Sequence, residues 1–563
     1  MFLERRLFAT VVFSVVVILA TGISLTKADP APKDSPNEAG MAPLPPALWR
    51  KSLIQSKQDH PDFTRWIDAA EREQRLRGEP ALSSFFPSVV QASITDNTTG
   101  KSKQASRLIY RSHRGIHAVD IETGALKWES EADPSYDDVG ASHSPAPQEW
   151  LGFYIGTGKR IKGSRPGIFF ENTNVGSPYA DDKLVYAVKD LQIPSPGMPD
   201  SANGEDVEQI YNQWRGVGGD FRRNTLSAWG IATGKLRLEL GRSRWQPELA
   251  SYIFLGPPLA VDHKLYVLAL KRTKLSEAVA LFCSLHGVIP RGAIYWRTEL
   301  LCIDPRGTAE LIARYPLFMS PGGPDFPVGR RLRATHLAVV RDTLLCPTDG
   351  GLLIGFDIRA GKREWAYDYR EKPEKRGGKA VATPENEVEI ADAILAPWWS
   401  VSPKWKASSL FVSGDKVVFT AADSRYVHCV DARTGRVIWK TQQNDGDLYL
   451  AGVAADSAYI VGKKSMRSLR LDSGKTQWET GTGMPSGQGV MRDGTYYLPQ
   501  RADAAGHGGE IRAIDTTTGR VVARYQCPDK HPPGNLSVFG ERLVSQSTLE
   551  IAVHPLPQLK ARP

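Results

Sequence analysis

The chain has 563 residues, 41% hydrophobic and 24% charged, with 5 cysteines and a formal charge of +9. That is the composition of a folded protein able to bury a large core, and it excludes both a disordered chain and a disulfide-stapled miniature. The basic surplus is spread thinly, with no arginine-rich helix or aromatic-interleaved basic tract, so nucleic acid is not an expected partner.

Residues 1–28 read as an export signal. Arg5 and Arg6 precede an apolar run from Leu7 to Leu25, and Thr26-Lys27-Ala28 supplies a small-residue site, so cleavage is expected between Ala28 and Asp29. The apolar run is close to bilayer length, so retention as an uncleaved anchor is the alternative. Arg5-Arg6-Leu7-Phe8 also resembles a twin-arginine export signal. Either way the protein is expected to be exported, periplasmic or envelope-associated. Residues 29–60 (ADPAPKDSPNEAGMAPLPP and beyond) read as a Pro-rich linker. Residues 61–80 read as a short amphipathic helix, with Phe63, Ile67, Ala70 and Leu76 at helical intervals before Gly78.

From residue 83 to 560 the hydrophobic period changes to two, and one phrase recurs. It reads IHAVDIETGALKW (116–128), LSAWGIATGKLRL (226–238), LLCIDPRGTAELI (300–312), LIGFDIRAGKREW (353–365), VHCVDARTGRVIW (427–439), RSLRLDSGKTQW (467–478) and IRAIDTTTGRVVA (511–523). A degenerate eighth copy, LEIAVHPLPQL (549–559), keeps the strand but lacks the turn. The turn residues follow from their chemistry. The Asp carboxylate accepts backbone N–H groups further into the turn, and Gly supplies the positive φ that other residues resist. A further strand led by Asp or Gly precedes nearly every copy, as in GDKVVFTA (414–421), so each copy implies one small four-stranded sheet.

The shortest spacings between turn glycines match one propeller blade of about 40–45 residues, and the longer ones are a blade plus an insertion. A small sheet cannot hide both apolar faces alone, so radial packing around a channel is the natural closure. The expectation is an all-β, eight-bladed β-propeller of four-stranded antiparallel blades. Its structural positions are Asp120, Gly124, Trp128, Asp357, Gly361, Trp365, Asp431, Gly435, Trp439, Asp472, Gly474, Trp478, Asp515 and Gly519, with the tryptophans wedged between neighbouring blades. The strand-like stretch 83–96 is expected to combine with the truncated eighth copy in a closing blade.

These segments resemble the pyrroloquinoline-quinone (PQQ) repeat, AxDxxTGxxxW, of the quinoprotein-alcohol-dehydrogenase-like propellers and of the BamB-like propellers that share the repeat without the cofactor. The resemblance covers most of the chain beyond residue 105 and is specific for fold rather than activity. A quinoprotein dehydrogenase implies an adjacent cysteine pair and a calcium or lanthanide site, whereas Cys283, Cys302, Cys346, Cys429 and Cys527 stand far apart. QNDGDLY (443–449) fails the calcium-loop pattern and reads as a hairpin turn. No cofactor is therefore expected, and PQQ with calcium belongs to the alternative of an alcohol or sugar oxidoreductase. The expected function is a non-catalytic, monomeric binding or assembly scaffold with a protein partner in the cell envelope.

Two insertions, 189–224 and 271–298, are the candidate carriers of binding, because function concentrates on loops held by a rigid scaffold. Val279 and Phe282 in the second, and Trp398 and Trp399 in APWWSVSPKW, are candidate partner-surface residues. A peripheral membrane contact or burial against the propeller rim are the open readings for the apolar stretch 275–296. His113, His117 and His143 match no metal spacing and read as structural.

Overall fold

A computed structural model describes residues 40–54, 63–76, 78–95, 102–131, 170, 172–189, 224–241, 246–273, 294–307, 309–322, 332–348, 350–369, 405–407, 409–501, 509–528 and 532–559. Their strands form eight sheets; six are antiparallel runs of consecutive strands and two are completed by a strand from residues 41–52. Blade 1 holds Ser88–Thr95, Ser102–Arg111, Ile116–Asp120 and Leu126–Glu129. Blades 2 to 8 begin in turn at Tyr179, Tyr252, Ala338, Leu410, Asp447, Val490 and Asn535. First strands of neighbouring blades touch one another, as Ser88–Thr95 does Tyr179–Ala180 and Leu410–Ser413 does Asp447–Ala454, so first strands line the axis of an eight-bladed β-propeller.

The recurring phrase spans the third and fourth strands of each blade. In blade 1, Gly124 N–H donates to the Asp120 carbonyl (2.8 Å) and Asp120 N–H to that of Ala125 (2.9 Å), with Gly124 at φ +69°. A β-bulge follows the turn and aligns Trp128 with Ala118; Trp439 faces Cys429 and Trp478 faces Ser468 in the same register. The apolar core lies between blades. Leu108 and Val119 of blade 1 pack with Val544 and Val553 of blade 8, and Val418 and Trp439 of blade 5 pack with Leu450 and Leu469 of blade 6. Cys302, Cys346 and Cys429 are buried free thiols, and Cys527 is buried.

Ring closure departs from the sequence expectation. Residues 83–96 do not share a blade with the carboxyl end; Ser88–Thr95 is the innermost strand of blade 1. Blade 8 takes its outer strand from Trp49–Ser52, antiparallel to Glu550–Pro555 with Trp49 opposite Val553. Met41–Pro43 adds a fifth strand, parallel to Val521–Gln526, on the outside of blade 7. Residues 41–52 are thus part of the propeller rather than a linker. Both segments lie on sheet edges, where proline such as Pro43 costs no ladder bond that the interior needs. The helix runs Phe63–Leu76, with Ile67 and Ala70 buried but Leu76 exposed, so Leu76 is not on the packed face.

Candidate functional site

The blade junctions are built from the repeat itself. Outer-strand tryptophans lie over the turn glycine of the next blade, and all but Trp365 donate the indole N–H to that turn. Trp128 reaches the Ile231 carbonyl (2.7 Å), Trp439 that of Leu471 (3.0 Å) and Trp478 that of Thr516 (3.2 Å). A Cβ added to Gly234, Gly474 or Gly519 would stand 2.5–2.6 Å from atoms of the preceding blade, Trp128 in the first case and Trp439 and Trp478 in the others. Glycine is therefore required both for the positive φ and for the ring that covers it. Trp365 covers Gly435 in the same manner, but its indole N–H has no acceptor among the described residues.

Trp49, in the closing strand, is a member of this girdle that the repeat pattern alone does not reveal. It covers Gly124 and donates to the Ile121 carbonyl at 2.8 Å, joining blade 8 to blade 1. Between blades 3 and 4 Tyr315 lies over Gly361 instead.

Within the turns, the Asp431 Oδ1 atom accepts from the N–H groups of Arg433 (3.1 Å) and Thr434 (2.8 Å) and from the Thr434 hydroxyl (2.8 Å). Those bonds, led by that of Thr434, hold its carboxyl below the usual range. Asp120 and Asp515 make the same three contacts and Asp357 the two backbone ones. Asp472 does not occupy this position. The residue four before Gly474 is Arg470, whose carbonyl accepts the Gly474 N–H, while Asp472 forms an exposed fork with the Arg470 guanidinium. QNDGDLY is likewise not a hairpin; it carries the chain from the outer strand of blade 5 to the inner strand of blade 6, and Asp447 pairs with buried Arg467 at 2.6 Å.

One axial end of the ring is closed by the chain itself. Ala81, Leu82, Ser83, Ser84 and Phe85 are all buried there. Asn535 at the start of blade 8 donates to the carbonyls of Ser83 (2.9 Å) and Phe85 (2.8 Å), and Phe86 N–H donates to that of Gly176 just before blade 2. Arg501 of blade 7 donates to the Ala81 carbonyl and pairs with Glu71 of the helix. Glu79 sits between Lys463 (2.7 Å) and Lys406 (3.2 Å), where these cations outweigh burial and hold its carboxyl below its ordinary value. The strand ends that flank both insertions, Lys189 and Thr225 in blade 2 and Thr273 and Ile294 in blade 3, belong to this same end of their sheets, as does Gln500 beside Arg501. Val279, Phe282, Trp398, Trp399 and His143 lie outside the described residues, as do Ala28 and Asp29. Trp405, at the end of the APWWSVSPKW stretch, is buried and donates to the Ser424 carbonyl.

The opposite end carries the hairpin turns, and there the girdle is interrupted. Tryptophan holds the bulged register in blades 1, 4, 5 and 6, whereas blades 3 and 7 have Ala313 and Ala523 and blade 2 has Leu238, opposite Ala228. A Cβ on Gly307 of blade 3 would meet nothing within 4 Å among the described residues. A cleft of about 1250 Å³ opens at this junction, lined by the turns at 181–183, 230–233, 263–264 and 305–307 and by Arg237.

His113, His117 and His428 are buried and hydrogen-bonded. His113 Nε2 lies 2.8 Å from the Thr548 carbonyl, and His117 Nε2 2.8 Å from the Ser112 hydroxyl. His428 sits between Ser424 Oγ (2.8 Å) and the Tyr367 hydroxyl (3.1 Å). Burial pushes His117 down to about 4, with Lys51 and Arg111 adding to it, and His428 down to about 3, with Lys440 adding. Glu129, 3.5 Å from His117 but more than half exposed, opposes this only weakly. The unfolded imidazoles take up protons as the pH falls through about 6.5, before the folded ones do, so stability drops as the pH falls from there toward 4. A His117→Gln, His428→Gln variant is expected to show a flatter melting-temperature profile between pH 7.5 and 4.5 than the parent; an equally steep profile would refute the assignment.

Residues 396–550 match the family model described as outer membrane protein assembly factor BamB. No curated protein matches the chain. Among solved structures, BamB from Moraxella catarrhalis is 13% identical, with 83% of this chain and 98% of that one covered at a TM-score of 0.41. The computationally designed Ika8 protein is 12% identical, with 84% and 99% covered at a TM-score of 0.41. Superpositions this loose decide nothing about activity. The family match falls on blades 5 to 8, and the same turn and indole cover recur in earlier blades of the eight-bladed β-propeller.

Proposed function

We propose that this propeller is an exported, non-catalytic scaffold that binds a protein partner in the bacterial cell envelope. The observation that carries the reading is the match of residues 396–550 to the assembly-factor family model. Two features of the fold support it. The ring is stiffened at its junctions by indole-to-backbone bonds, and one axial end is filled by Ala81–Phe85. Long insertions leave blades 2 and 3 from that filled end, which suits a rigid platform presenting variable loops.

The test uses the full-length protein, affinity-tagged at its carboxyl end and recovered from envelope extracts. A defined envelope protein is expected to co-purify in stoichiometric amount, and replacement of residues 190–223 by a short Gly-Ser link should abolish that recovery while leaving the melting temperature unchanged. Purified protein that develops quinone absorbance and reduces an acceptor dye when mixed with PQQ and calcium would overturn the reading in favour of the oxidoreductase.

A further inference from the structure

We propose that the cleft between blades 2 and 3 is a binding site for an extended peptide segment that carries carboxylates and aliphatic side chains. This rests on the reading of the propeller as a protein-binding scaffold and adds the place and the chemistry of one contact.

At this junction no aromatic ring crosses from the outer strand to the turn of the next blade. Leu238 stands in the bulged register that holds Trp128, Trp439 and Trp478 in their blades, so no indole reaches across to the turn at Gly307. Its walls combine two chemistries. Leu184, Leu236 and Ala260 supply aliphatic surface over buried Ile231 and Leu265, and Leu236 is 47% exposed. Lys183, Arg237, Lys264 and Arg306 face them with His263, against Asp181 and Asp182.

The charges do not cancel locally. Asp181 is engaged by its own turn, accepting the N–H groups of Lys183 and Leu184 at 2.7 Å and the Tyr186 hydroxyl at 2.8 Å. Asp182 approaches Lys183 only at 4.0 Å, with both largely exposed. Arg306 is held in a fork by Asp304. Arg237, His263 and Lys264 form no ion pair within 4 Å among the described residues; His263 and Lys264 share one turn, with Lys264 in the field of Asp304, and Arg237 stands in the outer strand of blade 2. At the lip, Asp262 and His263 occupy successive left-handed conformations (φ +47° and +62°), the geometry of a two-residue hairpin turn, and the corresponding turns of blades 4, 6 and 7 likewise hold Arg341, Ala455 and Asp493 at positive φ.

Size and composition select the ligand. At about 1250 Å³ the cleft exceeds the usual ~300–1,000 Å³ of a small-molecule pocket. Single-stranded nucleic acid needs aromatic stacking surfaces, and the only aromatic lining residue described, Tyr186, is tied to Asp181. A bilayer is too flat to follow a recess between two blades. An acidic peptide with alternating aliphatic residues satisfies both walls at once.

The probe is a fluorescein-labelled dodecapeptide of alternating Glu and Leu, titrated with the full-length protein and followed by anisotropy. Saturable binding that weakens with added salt is expected, with no binding of the Lys-Leu counterpart. Arg237→Glu with Lys264→Glu should weaken it at least about tenfold, as charge reversal at a complementary surface does. Leu238→Trp should abolish it with an unchanged or raised melting temperature, because the indole restores the girdle and fills the opening. Failure of the Glu-Leu peptide to bind, equal binding of the Lys-Leu peptide, or unaltered affinity in both variants would overturn the proposal. If the peptide does not bind while the envelope partner is still recovered by the parent and by Leu238→Trp alike, the cleft assignment falls and the scaffold reading stands.

Discussion

Trp439→Ala is expected to lower stability by about 3–5 kcal/mol, the range for emptying a buried aromatic site. The side chain is only 7% exposed, covers Gly474 and donates to the Leu471 carbonyl of the next blade, so its loss removes apolar contact and strands an acceptor at one stroke. Asp431→Ala, in the same repeat, should cost about 1–2 kcal/mol, since its carboxylate makes three bonds on a partly exposed turn whose net contributions are individually small. Urea unfolding of both variants checks the order. An Asp431 effect larger than that of Trp439 would mean that the carboxylate serves a ligand and not the turn. The same reasoning gives Trp49→Ala a comparable penalty, because Trp49 makes the equivalent bond across the closing junction.

The second large effect is expected at the Arg467–Asp447 pair, both members of which are nearly inaccessible at a separation of 2.6 Å. Arg467→Met should cost about 3–5 kcal/mol, because it leaves a buried carboxylate without its cation. Burial already pushes the Asp447 carboxyl upward, and Arg467 is the main opposing influence. Without Arg467 the folded carboxyl binds its proton at a higher pH than the unfolded one does, so the variant's deficit relative to the parent should shrink as the pH falls. Adding Asp447→Leu should recover most of the loss, since a matched apolar pair replaces a buried ion pair at little cost. Chemical unfolding at pH 7.5 and 5.5 of the single and double variants tests this. A double variant as unstable as Arg467→Met would show that the two groups act through other contacts.

The parts of this molecule visible in its sequence are those written locally. Asp431, Thr434 and Gly435 make their turn within five residues, and Trp439 follows four later, so one repeat unit carries both its turn and its junction. The closing strand is different. Trp49–Ser52 is four residues long, follows a proline-rich stretch and has its partner at the far end of the chain, so nothing near it in sequence announces the pairing. The assignment of Asp472 failed because the sixth turn puts Arg470 in the Asp position and keeps an Asp two residues on, which satisfies the eye but not the hydrogen bonds. The cleft is marked only by an omission: LSAWGIATGKLRL ends in leucine where four of its siblings end in tryptophan. Aligning the copies by their glycines exposes that omission; the cations that line the opening come from three turns and an outer strand and have no common motif.

The closing blade also sets an order of events. Its outer strand is among the first parts of the chain to be synthesised and its other three are the last, and His554 Nδ1 meets the Pro45 carbonyl across 509 residues. Blades 1 to 6 can each assemble from contiguous chain, but the ring cannot lock until the terminus arrives. The early strand must therefore wait unpaired, with its edge available, throughout synthesis. Long-range pairing of this kind slows folding far more than it weakens the finished state, since loop-closure entropy grows only logarithmically with length. Pairing of Trp49–Ser52 with Glu550–Pro555 is thus the contact that joins the two ends of the propeller into a closed ring.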